Sequence, residues 1–123
     1  MGLSQKNHWV RIFYSSQPKF VKTKHTILPG ILYVNPGDTV SFYTKGTSAT
    51  VFIPNGVDLF KSPSKEVTVI DKHWIFSIED ENESSQFEIK DVPPGTDFPC
   101  TVYCDVENNF AEGNSYPTII IDG

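Results

Sequence analysis

The sequence predicts an all-β fold, an antiparallel sandwich or barrel of about eight or nine short strands. Three observations support this prediction. Short runs of β-branched and aromatic residues recur along the chain, proline and glycine turns separate them, and no useful stretch has the helical period of about 3.6 residues. The 123 residues suffice for one two-layer core, so we expect a single domain, residues 1–123.

In the first half of the chain, strands alternate with well-defined turns. Pro36 and Gly37 predict a tight turn, because proline fixes φ at the second turn position and glycine tolerates a positive φ after it. Val40 and Phe42 then alternate with polar residues, as in a half-buried strand. The predicted order is strand 8–14, break 15–18, short strand or loop 20–24, turn 36–37, strand 39–43, turn 46–48, strand 49–53 and break 54–56.

The second half continues in the same way. Residues 86–90 have the cleanest alternation, with Phe87 and Ile89 predicted to point inward. A proline and glycine turn at 93–95 leads toward the cysteine strand. The predicted elements are a helical turn within 57–61 and strands 67–70, 74–78, 86–90, 101–103 and 118–121.

The charge of the chain argues against a nucleic-acid partner. The formal net charge is -5, and the lysines are scattered, whereas nucleic-acid binders cluster positive charge for phosphate contacts. The densest charge run, residues 79–83, is acidic and is predicted to be a solvated loop; a docking patch for a basic partner is the alternative.

The chain is predicted to be a soluble, acidic monomer with no membrane segment. No run approaches the roughly 20 apolar residues that a membrane-spanning helix needs. The first eight residues lack the apolar segment of a secretory signal, so the chain as written is predicted to be cytoplasmic. It would be an exported protein if a leader had been removed.

Cys100 and Cys104 are the two cysteines of the chain. On one regular strand their Cα atoms would be about 13 Å apart, beyond the roughly 7 Å limit for a disulfide, so we expect no bridge between them. Cys100, Val102 and Cys104 are each two residues apart on the predicted strand, so their side chains lie on the same face, and we expect that face to point inward. Both are predicted to be small buried hydrophobes; a reactive Cys104 is the alternative, although acidic neighbours would raise its pKa.

The ordered motifs resemble the cupredoxins, the family of small blue copper proteins that includes plastocyanin and azurin. The resemblance covers residues 27–121 and implies a Greek-key sandwich of about seven to nine strands. The motifs that resemble the family are Val34-Asn35-Pro36-Gly37-Asp38-Thr39-Val40-Ser41-Phe42, Ala49-Thr50-Val51-Phe52, Phe87-Glu88-Ile89 and Pro94-Gly95 leading to Tyr103-Cys104.

The resemblance also implies where copper ligands would stand. A blue copper site uses a thiolate, two imidazoles and a weak axial thioether. The thiolate would be Cys104, but the first imidazole falls on Ala49, the second in 107–109 and the thioether near 111–113, where no histidine or methionine occurs. The chain is therefore predicted to bind no copper and to have no cofactor.

We therefore predict a non-copper-binding, cupredoxin-like binding or structural module that is not an enzyme, since no catalytic motif is present. Its partner would be an unidentified protein. The predicted contact surface combines turn 46–48 with the loop 106–110, and its candidate residues are Glu107, Asn108, Asn109, Phe110 and Tyr116.

The alternative function is that of a metalloprotein or electron carrier with a non-standard ligand set around Cys104. His73 is the best further ligand among the three histidines, since imidazole is a common metal ligand.

Overall fold

The computed structural model describes residues 5–15, 24–28, 30–104, 109–110 and 118–122. These residues form twelve strands and one short helix, which confirms the all-β prediction. The elements are β1 (Asn7–Ser15), β2 (Lys24–Leu28), β3 (Ile31–Val34), β4 (Thr39–Lys45), β5 (Ala49–Ile53), α1 (Gly56–Leu59), β6 (Thr68–Ile70), β7 (His73–Ile78), β8 (Phe87–Glu88), β9 (Asp97–Pro99), β10 (Thr101–Cys104), β11 (Asn109–Phe110) and β12 (Thr118–Ile121).

The described strands form open sheets rather than a closed barrel. Their orders are β2-β1-β4-β8, β11-β10-β5-β7-β6 and β3-β12-β9. β1 is parallel to β4 and β3 is parallel to β12, so the prediction of antiparallel pairing throughout is wrong at these two places. In both pairs other strands intervene in sequence, which gives the chain the long crossover that parallel pairing requires.

One strand region joins the second and third sheets into a single layer. Only Cys100 separates β9 from β10. Phe98, Cys100, Val102 and Cys104 are all buried, so the side-chain alternation continues unbroken across this residue. The molecule is therefore a two-layer sandwich, with the β2-β1-β4-β8 sheet as the other layer.

Aromatic side chains fill the space between the layers. Phe42 on β4 and Phe87 on β8 contact Phe76 on β7, with ring centroids 5.1 Å apart in each pair. Phe87 also meets the fully buried Trp74 edge-on at 5.2 Å. Burying rings of this size supplies much of the hydrophobic stabilisation of a small domain.

The turns predicted at 36–37, 46–48 and 93–95 are present, and residues with positive φ occur in them and in a further turn between β6 and β7. Gly37 and Gly95 have φ values of 90° and 85°, which glycine adopts without the steric cost of a Cβ. Asp71 and Lys72 join β6 to β7 and have positive φ values of 49° and 73°. Two such residues in succession are typical of the type I′ hairpin turn, whose twist matches that of the flanking strands.

The strand bounds differ from the prediction in several places. The structure has more strands than predicted, because β3, β9 and the two-residue strand β11 are additional. The predicted strand 86–90 is present in a shorter form as β8. The predicted helical turn is α1. Of the predicted strand or loop at 20–24, only Lys24 is described, and it begins β2. No helix among the described residues is long and apolar enough to cross a membrane.

Candidate functional site

Ala49 and Cys104 face each other at one end of the β5–β10 pair. They are directly opposite in the antiparallel register, and neither has exposed surface (0%). β5 and β10 both alternate between buried and more exposed residues, which turns these two side chains toward the core. At this end of the strand pair, called here the Cys104 end, the two paired side chains are therefore small and buried.

The two cysteines behave as the sequence predicts. Neither forms a disulfide, and Cys100, Val102 and Cys104 are all buried, which confirms that they point inward. Burial raises the pKa of the Cys100 thiol to about 12, because the thiolate loses its hydration. The Cys100 thiol donates to the carbonyl of Phe98 at 3.7 Å. Cys100 is thus a protonated, small hydrophobic residue at neutral pH.

The structure does not bring His73 and Cys104 together. Trp74 is opposite Ile53, at the far end of β5 from Ala49, and His73 precedes Trp74. Four residues of strand separate the two ends by about 13 Å. The Nδ1 atom of His73 accepts the backbone N–H of Asn55 at 3.1 Å, so it holds a turn. In the part of the chain that the structure describes, no three His, Cys, Asp or Glu residues form a group that could hold a metal ion.

Most of the predicted contact surface lies outside the described residues. Glu107, Asn108 and Tyr116 are among the residues that are not described. Asn109 and Phe110 form β11, with Asn109 opposite Cys104. This segment of backbone therefore borders the Cys104 end, as the prediction requires, while the surface itself stays a prediction.

The neighbouring turn 46–48 is anchored by the acidic run. Thr47 is fully buried, and its hydroxyl donates to the carbonyl of Ser48 at 2.7 Å. The N–H of Gly46 donates to the carboxylate of Asp80 at 2.7 Å. Residues 79–83 are all exposed, as predicted for a solvated loop. Asp80 also has a structural role there, because it satisfies a backbone N–H group in the turn.

A groove of about 490 Å³ opens at the other end of the same strands. The turn after β5, helix α1, residues 91–93 and strand β9 surround it. Its buried floor includes Val92 and Phe98, which are only 7% and 6% exposed. The residues that line it are Pro54, Asn55, Asp58, Asp91, Val92, Pro93, Thr96, Asp97, Phe98 and Pro99.

Backbone hydrogen bonds fix the two walls of this groove. On one side Asn55 has a left-handed φ of 57°, and its carbonyl accepts the N–H of Asp58 at 2.9 Å. On the other, turn 93–96 places Gly95 at a positive φ, and the Thr96 hydroxyl donates to the carbonyl of Pro93 at 2.8 Å. The groove is therefore held open by turns whose backbone conformations are locally determined.

The groove is acidic. Three exposed carboxylates, those of Asp58, Asp91 and Asp97, stand along it. Lys72 Nζ is 3.8 Å from Asp58 Oδ2, a weak exposed pair. Among the described residues no cationic group forms an ion pair with Asp91 or Asp97. The ammonium group of nearby Lys90 instead donates to the carbonyl of Val57 at 2.6 Å.

A buried carboxylate at this end of the sandwich has a structural role instead. Asp38 is 5% exposed and accepts the backbone N–H groups of Lys6 and Asn35. His8 Nε2 donates to it at 2.8 Å, since a carboxylate can only accept. Burial acts to raise the pKa of Asp38, but these hydrogen bonds and the charge of His8 together lower it. Asp38 thus ties the beginning of β1 to the turn before β4.

Sequence reasoning missed the groove. The signal available was a pair of aspartates, Asp91 and Asp97, on either side of the Pro93-Pro94-Gly95 turn. What the sequence lacks is the fact that turn 54–55 and α1 approach this segment to form the opposite wall.

Comparison with known proteins adds no relatives to this description. No family model matches the chain, and no curated protein matches it.

Proposed function

We propose that this chain is a cupredoxin-like sandwich that binds a protein partner and holds no copper. The observation that carries the proposal is the pairing of Ala49 with Cys104. These are the positions at which the resemblance would put an imidazole and a thiolate. Two ligands of one metal must be neighbours, and these two residues are directly opposite each other on adjacent strands.

The residues at these positions do not fit copper. The methyl group of Ala49 has no donor atom, and it packs in a place with no exposed surface. By sequence, residues 107–109 and 111–113 contribute no histidine or methionine. A single thiol is not the ligand set of a blue copper centre. We therefore derive no electron-transfer step through a metal.

The outer face of the larger layer supports a role in protein binding. The outer residues of the larger layer, from β3 to β6, are mostly uncharged; they are Ile31, Tyr33, Thr118, Ile120, Asp97, Pro99, Thr101, Tyr103, Thr50, Phe52, His73, Ile75, Ser77, Thr68 and Ile70. Ile31 and Tyr33 are 52% and 58% exposed. Exposed apolar residues side by side on a sheet are a common feature of contact surfaces. The loop surface that includes Phe110 remains the proposed primary contact.

Metal titration tests the proposal. The purified protein is analysed for metal and then titrated with Cu(II) and Zn(II), while visible absorption and the melting temperature are recorded. We expect no thiolate-to-copper absorption band and no metal-dependent rise in melting temperature.

Two matched variants give this experiment its control. Cys100→Ala and Cys104→Ala each remove one buried thiol from the same strand region. An absorption band that survives Cys100→Ala and disappears in Cys104→Ala would contradict the proposal and favour the alternative metalloprotein.

A further inference from the structure

We propose that the groove between turn 54–55 and turn 93–96 binds a lysine or arginine side chain from an extended segment of a partner protein. This inference goes beyond the loss of copper and does not depend on it, because the groove lies at the opposite end of β5 from Ala49. It assigns a second contact site, separate from the loop surface proposed above.

The shape and floor of the groove are the first reason. Its volume of about 490 Å³ is within the range of about 300–1,000 Å³ that is usual for ligand sites. Val92 and Phe98 form an apolar floor, and Pro54, Pro93 and Pro99 add apolar surface to the sides. A side chain that enters it can bury apolar atoms against this floor.

Charge selects the occupant. Asp58, Asp91 and Asp97 line the groove together with the apolar floor, and among the described residues only Asp58 has an ion-pair partner, Lys72 at 3.8 Å. The nearby ammonium of Lys90 donates to the carbonyl of Val57. Lysine and arginine combine a long aliphatic stem with a cationic head, so the stem can lie on the floor while the head reaches a carboxylate. A neutral side chain would leave the carboxylates without that contact, and an acidic one would be repelled.

The rigidity of the groove walls is a third reason to expect binding there. The N–H of Asn55 donates to His73 Nδ1, and the N–H of Val57 donates to the carbonyl of Lys72 at 3.2 Å, so α1 and its turn are tied to the β6–β7 hairpin. The N–H of Gly95 donates to the carbonyl of Ile121 at 2.8 Å, which ties the opposite turn to β12. A pre-formed groove loses little conformational entropy when it is filled.

The test is a titration of the ¹⁵N-labelled full chain with two short peptides, followed by NMR amide shifts. The first peptide is acetyl-Gly-Leu-Arg-Leu-Gly-amide. The second has citrulline in place of arginine, which keeps the shape and removes the charge. We expect the arginine peptide to bind about tenfold more tightly and to shift the amides of Asn55, Asp58, Val92, Thr96 and Phe98.

Two double variants with the same change in net charge separate the groove from general electrostatics. Asp91→Asn with Asp97→Asn should abolish the preference for the arginine peptide. Glu79→Gln with Glu83→Gln, which neutralises two exposed acids of the loop after β7, should leave it unchanged.

Three results would overturn the inference: equal affinity for both peptides, shifts confined to other surfaces, or no binding of the arginine peptide at concentrations of about 5 mM. The peptide comparison uses the unchanged protein and so does not depend on how a variant folds. Copper binding in the separate titration would overturn the proposed function and leave this result standing.

Discussion

The two ends of the β5–β10 strand pair differ in what they offer a ligand. At one end Ala49 and Cys104 are small, directly opposite each other and without exposed surface. At the other end the same strands lead into a groove of about 490 Å³ edged with three exposed carboxylates. One end is closed by small side chains, and the other is held open by turns.

The two ends thus differ in the size of their side chains and in the conformation of their backbone. Closing the Cys104 end requires only side chains small enough to pack in the core, as Ala49 is. Opening the groove requires the backbone itself to bend, through the left-handed residue Asn55 and the turn at Gly95. The sealed end is therefore a matter of side-chain volume, whereas the open end is a matter of backbone geometry.

The largest effect that would test the comparison is the chemical protection of the cysteines. We expect N-ethylmaleimide to modify Cys100 and Cys104 at least about 1,000-fold more slowly in the native protein than in denaturant, since both must be exposed by unfolding first. Mass spectrometry of the reaction over time measures the two rates. Cys100→Ala and Cys104→Ala assign each rate to one thiol. Fast modification of Cys104 in the native protein would show that this end is open and would revive the reactive-cysteine alternative.

The next largest effect concerns the wall of the groove. A Cβ added at Gly56 would lie 2.5 Å from Cγ of the buried Trp74, so Gly56→Ala must displace a core side chain. We expect it to lower the free energy of unfolding by about 3 kcal/mol, as measured by urea denaturation. Gly30→Ala is the matched control, because a Cβ there meets nothing within 4 Å, and it should change stability by less than about 1 kcal/mol. Equal losses in the two variants would mean that Trp74 can move aside without cost.

A smaller effect separates the buried carboxylate from the exposed ones at the same end. Asp38→Asn removes the charge that accepts hydrogen bonds from His8, Asn35 and Lys6, and we expect a loss of about 2 kcal/mol at pH 7. Asp97→Asn, at an exposed position, should change stability by less than about 0.5 kcal/mol. If both variants unfold at the same urea concentration as the parent, the Asp38 network contributes no stability.

The pH dependence of this loss follows from the lowered pKa of Asp38. A carboxyl group with a lower pKa in the folded than in the unfolded state stabilises the fold above its unfolded pKa of about 3.9. That contribution is lost as the pH falls through the folded pKa. The difference between parent and Asp38→Asn should therefore shrink below about pH 4. A difference that grows toward acid pH would contradict the assignment.

Much of the fold follows from local patterns. The burial of Val40 and Phe42, the turn at Gly37 and the inward parity of the two cysteines all depend on residues close together in sequence, and the structure agrees with each. The prediction that their strand is half-buried is wrong, because Thr39 and Ser41 are buried as well in β4, which lies between β1 and β8. The parallel pairs were missed because β1 reaches β4, and β3 reaches β12, across long stretches of chain that no local pattern encodes.

The dependence on contacts between distant segments also explains why the two ends of the β5–β10 pair were not equally predictable. Ala49 and Cys104 were linked before the structure only by the resemblance, which assigns both to ligand positions of one site. The groove depends on the approach of Asn55 and Asp58, in the turn of α1, to Asp97 on β9, and these two elements are far apart in sequence. Such a cavity forms only when tertiary packing brings these elements together.

The smallest expected effect concerns Lys72, where backbone strain and groove charge meet. Its φ of 73° is costly for a residue with a Cβ, and its ammonium is the cationic neighbour of Asp58. Lys72→Gly and Lys72→Ala remove the same weak ion pair, but only glycine relieves the backbone, so we expect the glycine variant to be more stable by about 1 kcal/mol. Both variants should bind the arginine peptide up to about threefold more tightly, because Asp58 no longer has a competing cation. Equal stability of the glycine and alanine variants would show that the type I′ turn relaxes around alanine. Weaker peptide binding by both variants would show that Asp58 does not contribute to the groove's attraction for cations.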